Sequence, residues 1–115
     1  MDSLSLNAVA KEQIAAAQQG SSGRSAVTVH GGHEHALRQT VIALSAGNGL
    51  GEHESPGEAT LQVLAGRVAL VAGEVSCEVT TGDYVLIPPA RHRLDAIEDS
   101  AVLLTVAVEV AGSRE

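Results

Sequence analysis

Apolar residues recur along this chain with two different periods, and the change falls near residue 25. Within residues 4–19, Leu6, Val9, Ala10, Ile14 and Ala17 are spaced so that they gather on one face of a helix. Ser3, Ser5 or Asn7 can supply the N-cap, and Gly20 sits where a glycine would end the helix. A helix this short is marginal alone, so its apolar face must dock on something. The segment SSGRS that follows reads as a linker.

Beyond it the period drops to that of strands. Residues 25–30 are rich in Val and Thr and run into Gly31-Gly32, while residues 37–44 form a stronger strand that ends in a turn at Ala46-Gly47-Asn48-Gly49. Residues 59–65 and 68–71 flank Gly66-Arg67 and read as a hairpin. Val75, Cys77 and Val79 alternate with Ser76, Glu78 and Thr80, which places Cys77 on the buried face of its strand as an inert, apolar cysteine. Residues 84–87, 92–97 and 101–110 complete the set, and the whole AGNGLG stretch reads as a turn. The last run, AVLLTVAVEV, is apolar on both faces, so it is expected to be central or covered by another element or subunit. About eight strands at close spacing argue for an all-β sandwich or closed barrel. The predicted division is a helix and linker over residues 1–24 and a β-barrel domain over residues 25–115.

Composition narrows the function more than the fold. A chain of 115 residues suits one domain, and with Tyr84 as its sole aromatic residue the core must be built from Val, Leu, Ile and Ala. Seven basic residues stand against fourteen acidic ones, for a net charge of −7. No basic cluster is present to meet phosphates and no aromatic set to stack on bases, which excludes a nucleic-acid partner. No apolar run approaches the ~20 residues of a membrane span, so no membrane partner is expected. Cys77 is the only cysteine and cannot form an internal disulfide, and the N-terminus lacks the basic and apolar regions of a secretory signal. A reducing cytoplasm is the simplest location. No nucleophile triad can be assembled by spacing, and no glycine loop precedes a helix in the way phosphate binding requires.

The candidate chemistry lies between Gly49 and His92, in the stretches GLGEHESPGEATLQVLAG and GDYVLIPPARH. Together they resemble the two motifs of the cupin superfamily. His53 matches the first histidine of motif one, Pro56-Gly57 its turn and Gly66 its closing glycine. Gly82, Asp83, Pro88 and His92 match motif two, with the spacing from Pro88 to His92 one residue shorter than the commonest form. The resemblance covers roughly residues 37–108. It implies an all-β cupin jelly-roll (double-stranded β-helix) barrel with one short N-terminal helix, usually a homodimer, with a pocket inside the barrel. The similarity is to small single-domain members of unassigned function.

In that family a divalent metal is held by two histidines and a glutamate of the first motif and a histidine of the second. The resemblance puts Ser55 at the second histidine and Ala59 at the glutamate, leaving His53 and His92 as metal candidates for Zn, Fe, Ni or Mn. Glu58 has the wrong strand parity to replace the missing carboxylate. Two imidazoles fall short of the three protein ligands that catalytic zinc or non-haem iron takes. His33 and His35 lie two apart and project to one side when extended, so they are the supplementary metal candidates if their segment crosses the barrel mouth. The alternative for that segment is a solvated loop.

Leu61, Val63, Val85, Ile87 and Leu103 are expected to line the pocket, with His53 and His92 as its polar groups. Gln39 and Tyr84 are further ligand-binding candidates. One of Arg38 and Gln39 must face inward, and Tyr84 can close the barrel end with its ring. Arg38, Arg91 and Arg93 default to the surface or an interface. Three readings follow: a module binding a small organic ligand at a degenerate metal site, a metal-dependent dioxygenase or isomerase-like enzyme, and a structural or regulatory homodimer joined by the helix and last strand.

Overall fold

The computed structural model describes residues 1–54 and 57–109. Helix α1 (Leu6–Gln19) starts where Ser5 Oγ accepts the Ala8 N–H at 3.2 Å, which is why it begins at Leu6 rather than at residue 4. It ends where the Gly20 N–H donates to the Ala16 carbonyl at 3.0 Å. Nine strands follow among the described residues: β1 (Arg24–His30), β2 (Leu37–Leu44), β3 (Gly49–His53), β4 (Glu58–Ala65), β5 (Arg67–Ala72), β6 (Val75–Thr80), β7 (Tyr84–Leu86), β8 (His92–Ala96) and β9 (Ser100–Ala107). They form two antiparallel sheets, in the orders β1-β2-β9-β4-β7 and β3-β8-β5-β6, which make a jelly roll.

Strand alternation splits the core in two. Leu44, Leu61, Val63 and Val102 from the five-stranded sheet meet Val68, Leu70, Val79, Leu94 and Ala96 from the four-stranded one between the sheets. On the opposite face of the larger sheet, Val41, Ala43, Ala101 and Leu103 bury against Val9, Ala10 and Ala17, with Leu6 and Ile14 packed alongside. These are the helix residues that the spacing groups together. Burying Val9 alone is worth about 1.5 kcal/mol. The two-sided apolar character of β9 has the same explanation, since it is the middle strand of its sheet with the barrel interior on one side and α1 on the other. Of the alternatives for the helix face and the outer face of β9, cover by another element or by another subunit, the structure shows the first, since they bury one another within the chain. The predicted end of this strand at Val110 lies outside the described residues.

Four expectations need correction. β4 and β5 are not a hairpin: β4 pairs with β9 and β7, while β5 pairs with β6 and β8 in the other sheet. Gly66, at φ +91°, is the corner at which the chain changes sheets, and a two-residue turn signal cannot distinguish that from a hairpin. The AGNGLG stretch is not all turn, because Gly49 begins β3. A Cβ on Gly49 would meet the Leu94 carbonyl and Asp95 of β8, so glycine is there to let two strands approach. Cys77 is exposed, since β6 is an edge strand and only Val79 on its inward face is buried. Leu103 packs under the helix and not in the barrel interior, where its neighbour Leu104 points instead.

Candidate functional site

His53 and His92 come together at the end of the barrel where β3 and β8 terminate. They are register partners, with ring centroids 4.6 Å apart and the planes crossed edge to face at 61°. A bulge makes this possible. Between Leu50 and His53 three steps of β3 run against two of β8, from Leu94 to His92. Simple alternation from the inward-packed Leu50 would turn His53 outward, and the extra residue turns it back against His92. Gly51 sits inside this bulge, and its carbonyl is 2.8 Å from His53 Nδ1. His92 Nδ1 is likewise 2.8 Å from the Ala90 carbonyl. Because a carbonyl can only accept, each Nδ1 carries a proton, and in the neutral imidazole Nε2 is then the acceptor. His92 is only 2% exposed, whereas His53 lies open to solvent.

Two ion pairs flank the pair along β8. Arg91 Nε lies 3.7 Å from Glu52 and Arg93 Nε 3.1 Å from Asp95, so both arginines are on the surface. Such exposed pairs are worth little energetically.

The metal implied by the resemblance can be tested against these side chains. Two Nε2 atoms held from behind by backbone carbonyls are what metal-binding imidazoles need. The rest of the donor set is missing. Ala59, 5% exposed, places a methyl where the family glutamate would stand, and Glu58 is exposed. Ser55 lies outside the described residues. His35 stacks instead with His30, at a ring separation of 4.8 Å, and sits 3.9 Å from Glu34, while His33 is exposed. Among the described residues no cluster of three or more His, Cys, Asp or Glu side chains could hold a metal ion. The described donors do not fit a resident first-row metal.

The other predicted site residues are dispersed. Gln39 pairs across the sheet with Thr105, donating to its hydroxyl at 3.2 Å, and both lie on the outer, helix-side face. Tyr84 is opposite Gln62 on that same outer face and is 63% exposed, so it does not close the barrel. Leu61 and Val63 are fully packed core residues, while Val85 and Ile87 pack against that core from β7 and its end.

Arg38 is the residue that sequence reasoning misplaced. It shares the inward parity of Ile42 and Leu44, and its register partner Val106 stands in turn opposite Ala59. Thus Arg38, Val106 and Ala59 form one row across the interior face of the larger sheet, at the same end of the barrel as the histidines. Arg38, Thr40, Leu104 and Val106 face inward yet stay partly exposed. Solvent therefore reaches this end of the interior. Strict alternation back from the buried Leu44 was the signal for Arg38. Its charge argued the other way.

Comparison with known proteins bears on the same region. A family model described as a cupin domain matches residues 40–108. No curated protein matches the chain. Among solved structures, a conserved protein of unknown function from Streptococcus pyogenes is similar at 26% identity, covering 78% of each chain with a TM-score of 0.69. KdgF from Halomonas sp. is similar at 17% identity over 77% of this chain and 83% of that one, with a TM-score of 0.65. A salicylate 1,2-dioxygenase variant from Pseudoaminobacter salicylatoxidans reaches 21% identity and a TM-score of 0.69 over 84% of this chain but 31% of its own. The last two likenesses speak to fold alone. Since the family model spans well over half of a chain that folds as this jelly roll, the chain belongs to the cupin family.

Proposed function

We propose that this cupin binds a small organic ligand at the open end of the barrel, with His53 and His92 as paired hydrogen-bond acceptors. The observation that carries the reading is the matched anchoring of the two rings. Each Nδ1 is tied to the carbonyl two residues earlier, so two rings with centroids 4.6 Å apart each keep an unspent Nε2. A ligand with a hydroxyl or other donor group meets them without any rearrangement, which keeps the ordering cost of binding low. The partly exposed Leu104 and Val106 offer an apolar wall for its body, in keeping with small-molecule sites that combine apolar walls with a few fixed polar groups.

The same anchoring favours a second reading, a metal-dependent enzyme using both Nε2 atoms with a further ligand. The solved salicylate 1,2-dioxygenase shows that this barrel shape occurs in an oxygenase. The absence of a third donor among the described residues weighs against it here.

Elemental analysis of untagged protein and of His53→Ala, beside an NMR titration of both with phenol, separates the readings. We expect substoichiometric metal, with phenol moving the His53 and His92 imidazole signals of the wild type and binding more weakly to the variant. One equivalent of Zn, Fe, Ni or Mn in the wild type, lost in the variant, would overturn the ligand-module reading in favour of the enzyme.

A further inference from the structure

Four arginines of the described chain can be compared by what faces their guanidinium groups. Arg67 has Glu78 at 3.5 Å and Glu98 at 3.6 Å, Arg91 has Glu52 at 3.7 Å, and Arg93 has Asp95 at 3.1 Å. All three side chains are at least 42% exposed, although Arg67 Nε itself is buried and has no hydrogen-bond partner. Arg38 is partly buried, like Arg67, but has no carboxylate within ion-pair distance among the described residues. Its Nε donates to the His35 carbonyl at 3.3 Å. That fixes the plane of the guanidinium and leaves the four N–H groups of its two terminal nitrogens without an acceptor among the described residues. Its stem runs beside Gly31, on the inward side with Thr28. Among the described arginines only Arg38 and the exposed Arg24 have no ion pair with a described carboxylate, and of the two Arg38 is the partly buried one.

Placing a charge where it is half desolvated is unfavourable unless something compensates it. Arg38 faces the interior in the same row as Val106 and Ala59, while the two Nε2 acceptors belong to the opposing sheet at the same end. Packed sheets stand about 10 Å apart. That gap suits a molecule with an anionic group at one end and a hydrogen-bond donor at the other.

We infer that the ligand of the His53–His92 site is a small carboxylate with an apolar body, its carboxylate held by the Arg38 guanidinium. This rests on the proposed ligand-module reading and adds to it the chemical class of the ligand. The planar fork of arginine matches a carboxylate with two parallel hydrogen bonds, which a lysine could not reproduce. Ala59 fits the same picture. A glutamate there would stand two strand positions from Arg38 and take the guanidinium for itself, whereas a methyl leaves it available.

4-Hydroxybenzoate and phenol are the probes, since they share an apolar ring with a hydroxyl donor and differ in the carboxylate. Both are titrated by NMR into wild type, Arg38→Gln and His53→Ala, with amide dispersion as the check that each variant is folded. We expect 4-hydroxybenzoate to bind the wild type more tightly than phenol does, and Arg38→Gln to weaken 4-hydroxybenzoate by about tenfold to a hundredfold while leaving phenol unchanged. If phenol shifts the histidine signals but 4-hydroxybenzoate binds no better, or Arg38→Gln leaves 4-hydroxybenzoate unaffected, the carboxylate inference fails and the histidine site stands. If neither probe moves the histidine signals at millimolar concentration, both are overturned.

Discussion

At the end of the barrel where β4 passes into β5, Ser100 is 1% exposed and its hydroxyl is fully used. It accepts the Arg67 N–H at 3.0 Å and donates to the Glu98 carbonyl at 2.7 Å, with the Arg67 carbonyl also within reach at 3.1 Å. At the other end, His92 is nearly as buried, at 2%, yet only its Nδ1 is used, by the Ala90 carbonyl. The contrast extends to their surroundings. Around Ser100, Asp99 accepts from Ala46 N–H at 2.8 Å and from Gln18 at 2.7 Å, tying the corner loop to both the β2–β3 turn and the helix. His92 has a second half-used imidazole against it, and the opposing sheet brings to the same end Arg38, whose terminal nitrogens have no acceptor among the described residues. Apart from Arg67 Nε, which is buried without a hydrogen-bond partner but has Glu98 at 3.6 Å, these closed-end groups are satisfied and read as structure, whereas the unspent capacity at the open end reads as recognition.

The sharpest way to break this comparison is at Gly66. Its φ of +91° disfavours any side chain, and a Cβ there would run into Ser100 Oγ and the Asp99 carbonyl. Gly66→Ala should destabilise the fold by about 2–4 kcal/mol, since strain and the disrupted corner hydrogen bonds add. Urea unfolding measures it. A loss below about 0.5 kcal/mol, the range of ordinary surface changes, would mean that the corner does not hold the barrel closed.

How much of this was legible in advance differs between the two ends. The helix face, the strand alternation and the motif histidines are local patterns, and local patterns are what a sequence displays. The corner was not legible, because whether Gly66-Arg67 joins neighbours or carries the chain to another sheet depends on the pairing of β4 with β9, some forty residues downstream. The bulge in β3 was hidden for the same reason. Gly51 marks it only once Leu50 and His53 are seen opposite Leu94 and His92. Arg38 was misplaced by giving charge more weight than parity, although the buried Leu44 sets the parity for the whole strand. Cys77 erred in the reverse direction, since its parity was right but β6 is an edge strand with little lying across it.

A gentler test of the closed end uses acid. Asp99 is held below the ordinary carboxylate range chiefly by the Ala46 N–H and then by the Gln18 amide. Asp83 is lowered by the Thr80 N–H and then the Thr80 hydroxyl. A carboxyl whose folded pKa is depressed contributes stability that is present above its unfolded pKa, about 3.9, and is lost as pH falls through the folded value. The thermal midpoint should therefore begin to fall below about pH 5 and keep falling below pH 4. Asp99→Asn combined with Asp83→Asn should flatten that limb. An acid limb of unchanged steepness in the double variant would show that these closed-end contacts do not carry it.

The smallest effect belongs at the open end. His53 is exposed, its ring touches one buried neighbour, and the Gly51 carbonyl it releases can turn to water. His53→Ala should therefore change unfolding stability by no more than about 0.5 kcal/mol, as surface substitutions do. His92→Ala removes a ring that is 2% exposed and should cost more, about 1–3 kcal/mol, through the space it leaves. If the two rings were a structural pair, each would depend on the other for stability. Losing either would then destabilise comparably, and the double variant would cost less than the sum of the two. If they are a recognition pair, the stability costs stay unequal and independent, while phenol binding weakens in both. A His53→Ala variant as unstable as Gly66→Ala would make the open end as structural as the closed one and remove the ground for assigning it a ligand.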